Sequence, residues 1–257
     1  MDKIRTAIIL CGGRGLRLGS ISKKIPKSLV KIQGRPILWY IINHLKKNDF
    51  NHLILPLGYK GNLIRNYLKK KKFFNINIDL VNTGINSNIG KRIQQVTKKI
   101  RSENLLILNG DAIFNFNLNK VFKDHIKQKI YATFLNTEST YHFGTVCVKN
   151  NKVVNFERNI VFESVNVKNK ENMIAFNYAG IVIINKKILI NSSKIYQDSE
   201  NFEKKLYPFL IKKYPSRLVK MNGFFYSIDN VKDIEIVKKK KLKKILNIKG
   251  ITSAKAK

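Results

Sequence analysis

Short apolar runs alternate along this chain with longer segments whose apolar positions recur three and four residues apart. That is the pattern of a largely parallel sheet joined by crossover helices. Residues 4–11, "IRTAIILC", predict the first strand, "NHLILPL" at 51–57 the second and "INIDLV" at 76–81 the third. "NLLILNGD" at 104–111 predicts a strand ending in a polar turn, and "IYATFLN" at 130–136 another. Between them, "PILWYIINHLKKN" carries a helical stripe through Ile37, Tyr40, Ile41 and Leu45, with Pro36 suited to the first turn. Residues 62–72, 90–101 and 118–128 read as further helices.

Beyond about Thr137 the strands shorten. "GTVCVKNNKVVNFE" predicts a hairpin about its "KNNK" turn, and "FNYAGIVIIN" one more strand. Helices are expected around 200–213 and 231–246, with a tail at 247–257 whose "ITSAKAK" has little to pack and frays. The chain contains no internal repeat and no Pro/Gly/Ser linker, so one domain is expected over 1–246. Its regular half runs over about 1–136. A second half, about 137–230, extends the same sheet and supplies a substrate lid. The fold class is α/β, a Rossmann-like mixed, mainly parallel sheet flanked by helices.

Charge changes this picture less than its size suggests. The formal net charge of +34 on 257 residues would by itself suggest a polyanion partner. The lysines, however, run from Lys3 to Lys257 in a sequence also rich in Ile and Asn. Such a spread fits compositional bias and a solvated basic surface rather than a dedicated nucleic-acid face, and no aromatic residues interleave with a basic motif. The longest apolar stretch, "AIILC", is far short of the roughly 20 residues of a membrane helix, and no signal-peptide pattern opens the chain. Membrane insertion is not expected, and the cytoplasm is the expected compartment. Cys11 and Cys147 form no CxxC pair, and four scattered histidines give no metal signal.

The candidate chemistry begins directly after the first strand. In "AIILCGGRGLRLG", Gly12, Gly13 and Gly15 can turn sharply and expose successive N–H groups to a phosphate, while Arg14 and Arg17 supply charge-assisted donors. The spacing is neither GxGxxG nor a P-loop, so a plain tight turn with solvent-facing arginines stays open. Lys27 follows in "KKIPKSLVKI", held by Pro26; alone it could be an ordinary surface lysine. Asp111 closes an apolar strand and Asp229 stands in "GFFYSIDNVKDI"; each could equally cap a helix or turn.

Taken in order, GGxGxR, P-K and a strand ending in Gly-Asp resemble the sugar-1-phosphate nucleotidyltransferases, from Ile8 to about Val237. "GRPILWYIINHLKKNDFNHLILPLGYKGNLIRNYL" and "TGINSNIGKRI" (residues 83–93) are similar to the glucose-1-phosphate cytidylyltransferase branch. The resemblance implies a fold of the nucleotide-diphospho-sugar transferase type, with a nucleotide-binding first half and a sugar-binding second half. It also implies Mg²⁺ held by Asp111 and Asp229 against nucleotide phosphates. Arg17, Lys27 and Asp111 are then the catalytic candidates. The nucleotide set comprises Leu10, Cys11, Gly12, Gly13, Arg14, Gly15, Leu16, Arg17, Ser87, Arg92 and Gly110. Glu157, Arg158, Asn177 and Gly180 are the sugar-phosphate candidates. The chain departs from the family at Leu16 (usually Thr), Cys11 (commonly Ala), Ser28 (Pro of PKP) and Asn159 (Pro after Glu-Lys).

The implied reaction is attack of a sugar 1-phosphate on the α-phosphorus of a nucleoside triphosphate, with CTP expected and pyrophosphate leaving. Guanylyl, uridylyl or thymidylyl transfer to a heptose or hexose 1-phosphate uses the same core machinery. A catalytically silent nucleotide-sugar binder is the rival outside enzymes. Homo-oligomer formation stays open.

Overall fold

The computed structural model describes residues 4–71, 76–168, 170, 172–199 and 201–247. In chain order its strands begin with β1 (Thr6–Leu10), β2 (Lys31–Ile32), β3 (Arg35–Pro36), β4 (His52–Leu57), β5 (Asn77–Asn82), β6 (Asn104–Asn109) and β7 (Ala112–Asn115). They continue with β8 (Ala132–Thr137), β9 (Ser139–Lys149), β10 (Lys152–Phe162), β11 (Ser164–Asn166), β12 (Ile174–Asn185), β13 (Ser216–Lys220) and β14 (Phe224–Ser227).

The main sheet runs in the order β13-β8-β12-β6-β1-β4-β5, with β11 added on β12. Its neighbours pair in parallel except at β12, which is antiparallel to β6, β8 and β11. From β1 the chain moves outward to β4 and β5, then returns on the other side of β1 as β6. This reversal opens a crevice at the carboxyl ends of β1 and β6, where sheets of this kind hold their ligands.

Both faces of the sheet are covered, which is why its strands read as unbroken apolar runs. On one face Ala7, Ile9, Leu53, Leu55, Leu106 and Leu108 pack with Ile37, Leu38, Ile41 and Leu45 of the helix Ile37–Lys47. On the other, Ile8, Ile54, Leu105 and Ile107 meet Ile93 and Val96 of the helix Ile89–Val96, with Leu206 and Leu210 of the helix Phe202–Lys213. Each of these Leu, Ile and Val side chains contributes about 1.5–3 kcal/mol on burial, and β1 is held from both sides.

The expected strands appear to within a few residues, and the second half joins the sheet through β12 and β13. The hairpin forms β9 and β10 about Asn150 and Asn151, both with positive φ, as the tight turn requires. This ribbon is a separate two-stranded sheet rather than an extension of the main one.

Three features differ from the sequence reading. The expected helix 231–246 is two pieces, Val231–Lys239 and Leu242–Ile245, because Lys240 turns extended within a run of four lysines. The helix from Gly90 stops at Val96 and tightens into a single 3-10 turn, Thr97–Lys99. Pro36 closes β3 and caps the following helix instead of entering it. The expected tail lies outside the described residues apart from Asn247.

Candidate active site

Two short ladders bring distant residues together at the crevice. β7 leaves the main sheet directly after Asp111 and pairs antiparallel with β14, placing Ser227 opposite Ala112. The Ile228 amide donates to the Asp111 carbonyl at 3.0 Å, so the chain delivers Asp229 beside Asp111. Asp229 is not the helix cap. Asn230 caps Val231–Lys239 through a reciprocal box with Asp233, leaving the Asp229 carboxylate to the crevice.

Lys27 lies on the 3-10 turn Lys27–Leu29, set by an extended Pro26. Its ammonium donates to Asp111 Oδ2 at 2.8 Å and to Asp229 Oδ1 at 3.0 Å. Arg17 approaches the same carboxylate, with Nη2 3.3 Å from Asp229 Oδ1, and stays largely in solvent. Burial alone would raise the Asp229 pKa; hydrogen bonding and charge from Lys27, the charge of Arg17 and the Ser227 hydroxyl together pull it below the ordinary value.

The glycine loop follows β1. Gly15 has φ +62° and packs over the Lys27 stem, since a Cβ there would lie 3.3 Å from that of Lys27. Gly110 donates its N–H to the Leu10 carbonyl at 3.0 Å, joining the loop to the end of β6. The loop borders a cleft of two lobes that share Leu10, Gly13, Arg14, Ile89 and Asp111. One lobe, about 560 Å³, also contains Arg17, Lys27, Ser28 and Asp229. The other, about 580 Å³, contains Ile85, Asn86, Ser87, Asn88, Arg92 and Asn109. Each is large enough for a small ligand.

Arg92 is buried, with its guanidinium donating to the Leu57 carbonyl, Thr83 Oγ1 and the Ile85 carbonyl. It braces the wall of the second lobe from behind. Ser87 Oγ donates to the Thr83 carbonyl and helps fix the same loop. Cys11 is buried, and loss of solvation outweighs the charge of Arg92 to push its thiol up to about 12, so it is no nucleophile at neutral pH.

The structure therefore gathers Leu10, Cys11, Gly13, Arg14, Gly15, Leu16, Arg17, Lys27, Gly110, Asp111 and Asp229 about one lobe, and Gly12, Ser87 and Arg92 about the other. The sugar-side candidates are not gathered with them. Glu157 and Arg158 stand exposed on β10, and Asn177 borders a separate cavity of about 450 Å³ with Tyr141, Phe162 and Phe176. Gly180 packs against the Asn109 amide, which borders the second lobe. The sequence reading missed Asn86, which accepts from Arg14 at 3.1 Å, and Tyr59, whose ring lies 5.7 Å from the Arg14 guanidinium. Both stand just beyond strand ends facing the crevice, and that position was the available signal.

Among the described residues no group of three or more His, Cys, Asp or Glu side chains could hold a metal. The Asp111–Asp229 pair nevertheless suits Mg²⁺, which needs only one or two carboxylates beside phosphates and waters. That both carboxylates converge on one cation, the Lys27 ammonium, shows that the pair presents its charge to a common point.

The site thus sets a glycine-and-arginine loop against paired carboxylates at a sheet reversal. Residues 6–213 match the family described as Nucleotidyl transferase, and the chain belongs to that family. A D-glycero-alpha-D-manno-heptose 1-phosphate guanylyltransferase of Aneurinibacillus thermoaerophilus is 28% identical over 219 residues, covering 81% of this chain and 90% of the relative. A probable glucose-1-phosphate cytidylyltransferase of Bacillus subtilis is 30% identical over 170 residues, covering 58% and 67%. The crystal structure of HddC from Yersinia pseudotuberculosis shares the fold, with a TM-score of 0.66 at 23% identity over 91% of this chain and 98% of that one. No helix among the described residues is long and apolar enough to cross a membrane.

Proposed function

We propose that this nucleotidyltransferase acts on a sugar 1-phosphate, with CTP as nucleotide donor, and releases pyrophosphate. The observation that carries the reading is the Lys27–Asp111–Asp229 cluster sharing one lobe of the cleft with the loop residues Gly13–Arg17. "TGINSNIGKRI" supports the choice of base, because Ile85, Asn86, Ser87, Asn88, Ile89 and Arg92 of this segment border the second lobe and the segment resembles that of the cytidylyltransferases.

The attacking phosphate oxygen is already anionic at neutral pH, so no protein nucleophile is needed. Catalysis rests on holding two repelling anions in line and offsetting the charge that builds on the α-phosphate and the leaving pyrophosphate. Backbone N–H groups of the glycine loop, with Arg14 and Arg17, bind the triphosphate. Lys27 neutralises phosphate charge. Asp111 and Asp229 would hold Mg²⁺, which supplies charge neutralisation between phosphate oxygens. Ile85 and Ile89, both exposed, offer apolar surface for a base, and Ser87 offers a polar edge. Gly180 is proposed for the sugar side through its contact with Asn109; Glu157, Arg158 and Asn177 are proposed there on the family resemblance.

Guanylyl transfer to a heptose 1-phosphate is the second reading, favoured by the longer coverage of the guanylyltransferase relative. The test is pyrophosphate release with CTP, GTP, UTP and dTTP and Mg²⁺, against hexose and heptose 1-phosphates. A CTP-dependent signal supports the first reading, and GTP dependence replaces it with the second. Nucleotide binding without turnover across the panel would sink the enzymatic reading in favour of a silent binder.

A further inference from the structure

Ser28 is 2% exposed, and its Oγ has no hydrogen-bond partner among the described residues. It follows Lys27 on the 3-10 turn Lys27–Leu29 and borders the lobe that also contains Asp111, Asp229 and the glycine loop. A hydroxyl buried without a partner is costly, and native chains keep few of them. The other two such atoms, Tyr67 OH and Asn136 Oδ1, belong to residues bordering neither lobe of the cleft. Among the residues around this lobe Ser28 carries the one hydroxyl; the remaining polar side chains are Arg14, Arg17 and Lys27, the two aspartates and the Cys11 thiol.

We propose that the Ser28 hydroxyl donates a hydrogen bond to a phosphate oxygen of the nucleoside triphosphate bound in this lobe, an assignment that rests on the function proposed above. Oγ is itself enclosed in the free chain. The assignment requires it to turn to the lobe that its residue borders, a rotation among the three staggered positions about the single Cα–Cβ bond that leaves the backbone in place. Its neutrality suits the place. A further cation would repel the Lys27 ammonium and the Arg17 guanidinium, whereas a carboxylate would repel the phosphates. The hydroxyl adds a donor to an anion and leaves the charge balance of Lys27, Asp111 and Asp229 untouched.

The assignment makes Ser28 unfavourable in the free protein and favourable in the complex, two effects of opposite sign. Ser28→Ala separates them, with Ser28→Cys as a control of similar shape and weak donor strength. Thermal melting of the free chains is paired with calorimetric titration of inorganic triphosphate and of CTP and GTP, each with Mg²⁺. Ser28→Ala is expected to melt no lower than the parent while binding triphosphate about tenfold more weakly, the worth of one hydrogen bond to a charged group. Ser28→Cys is expected to follow it in binding. A lower melting temperature for Ser28→Ala would show the hydroxyl satisfied within the fold and overturn the assignment. Equal affinity of parent and variant would overturn it too, leaving the functional reading intact. No triphosphate binding by the parent would overturn both.

Discussion

A Cβ atom added to Gly12 would lie 2.5 Å from Nη1 of Arg92, so the guanidinium fills the room that a side chain at position 12 would need. Through this contact Arg92 touches the glycine loop while it holds Leu57 at the end of β4 and Thr83 and Ile85 beyond β5. The loop assigned to phosphates and the wall assigned to the base thus share one brace, and a change at either end is felt at the other.

Gly12→Ala should destabilise the chain by roughly 1–3 kcal/mol, as overpacking of a filled site does, because the carbonyl of Pro56 closes the other direction at 3.0 Å. Urea unfolding measures this. An unchanged midpoint would show that Arg92 yields its place at no cost.

Arg92→Lys keeps the charge but cannot reach Thr83 and Ile85 together, since the planar fork is lost. The KM for the nucleoside triphosphate should rise about tenfold with kcat less affected, as expected of a residue that shapes a binding wall without touching the reacting phosphates. A fall in kcat at unchanged KM would instead place Arg92 in the chemical step.

Asp111→Asn removes half of the charge that receives Lys27 and the proposed Mg²⁺, and Lys27→Ala removes the ammonium that both carboxylates share. Each should lower turnover about 100-fold, the scale of losing one preorganised electrostatic contact. Circular dichroism should show both chains folded. Near-normal turnover of Asp111→Asn would take Asp111 out of the site, and an unfolded Lys27→Ala chain would make the cluster structural.

How far these elements were legible depended on whether their partners were local. β1 and β6 announce themselves because both faces of the sheet are covered, making Ile8, Ile9, Leu106 and Ile107 one continuous signal. The loop after β1 was legible as a sharp turn at the crevice, while its glycines alone left a phosphate loop and a plain tight turn both open. The pairing of β7 with β14 was not, since four-residue strands far apart in sequence leave no period to read, yet that ladder is what sets Asp229 beside Asp111. Arg92 was nominated as a nucleotide ligand from its segment, but only packing shows its donors committed to Leu57, Thr83 and Ile85. Ser28 reads in the sequence as a departure from PKP, whereas its burial without a partner among the described residues is visible only in the fold.

His125 gives the chain a dependence on acid that lies outside the cleft. It is fully buried, with Nδ1 2.8 Å from Thr133 Oγ1 and Nε2 3.2 Å from Asn104 Oδ1. Arg217 Nε–H donates to Thr133 Oγ1, so the threonine hydroxyl is free to donate onward to Nδ1 while Nε2–H donates to Asn104. That chain needs the neutral ring. Burial, and then the charge of Arg217, lower the His125 pKa from 6.5 to about 4. Between these values the unfolded chain takes up a proton that the folded chain refuses, so stability falls as pH drops from 6.5 toward 4 and stops falling below it. The contribution is on the order of 3 kcal/mol across the window, with His44, also lowered to about 4, and His52 adding in the same direction. His125→Gln should therefore be less stable than the parent at pH 7.5 but lose less on acidification, measured by urea unfolding at half-unit steps. Parallel pH profiles for the two chains would show that the folded chain protonates His125 as readily as the unfolded one.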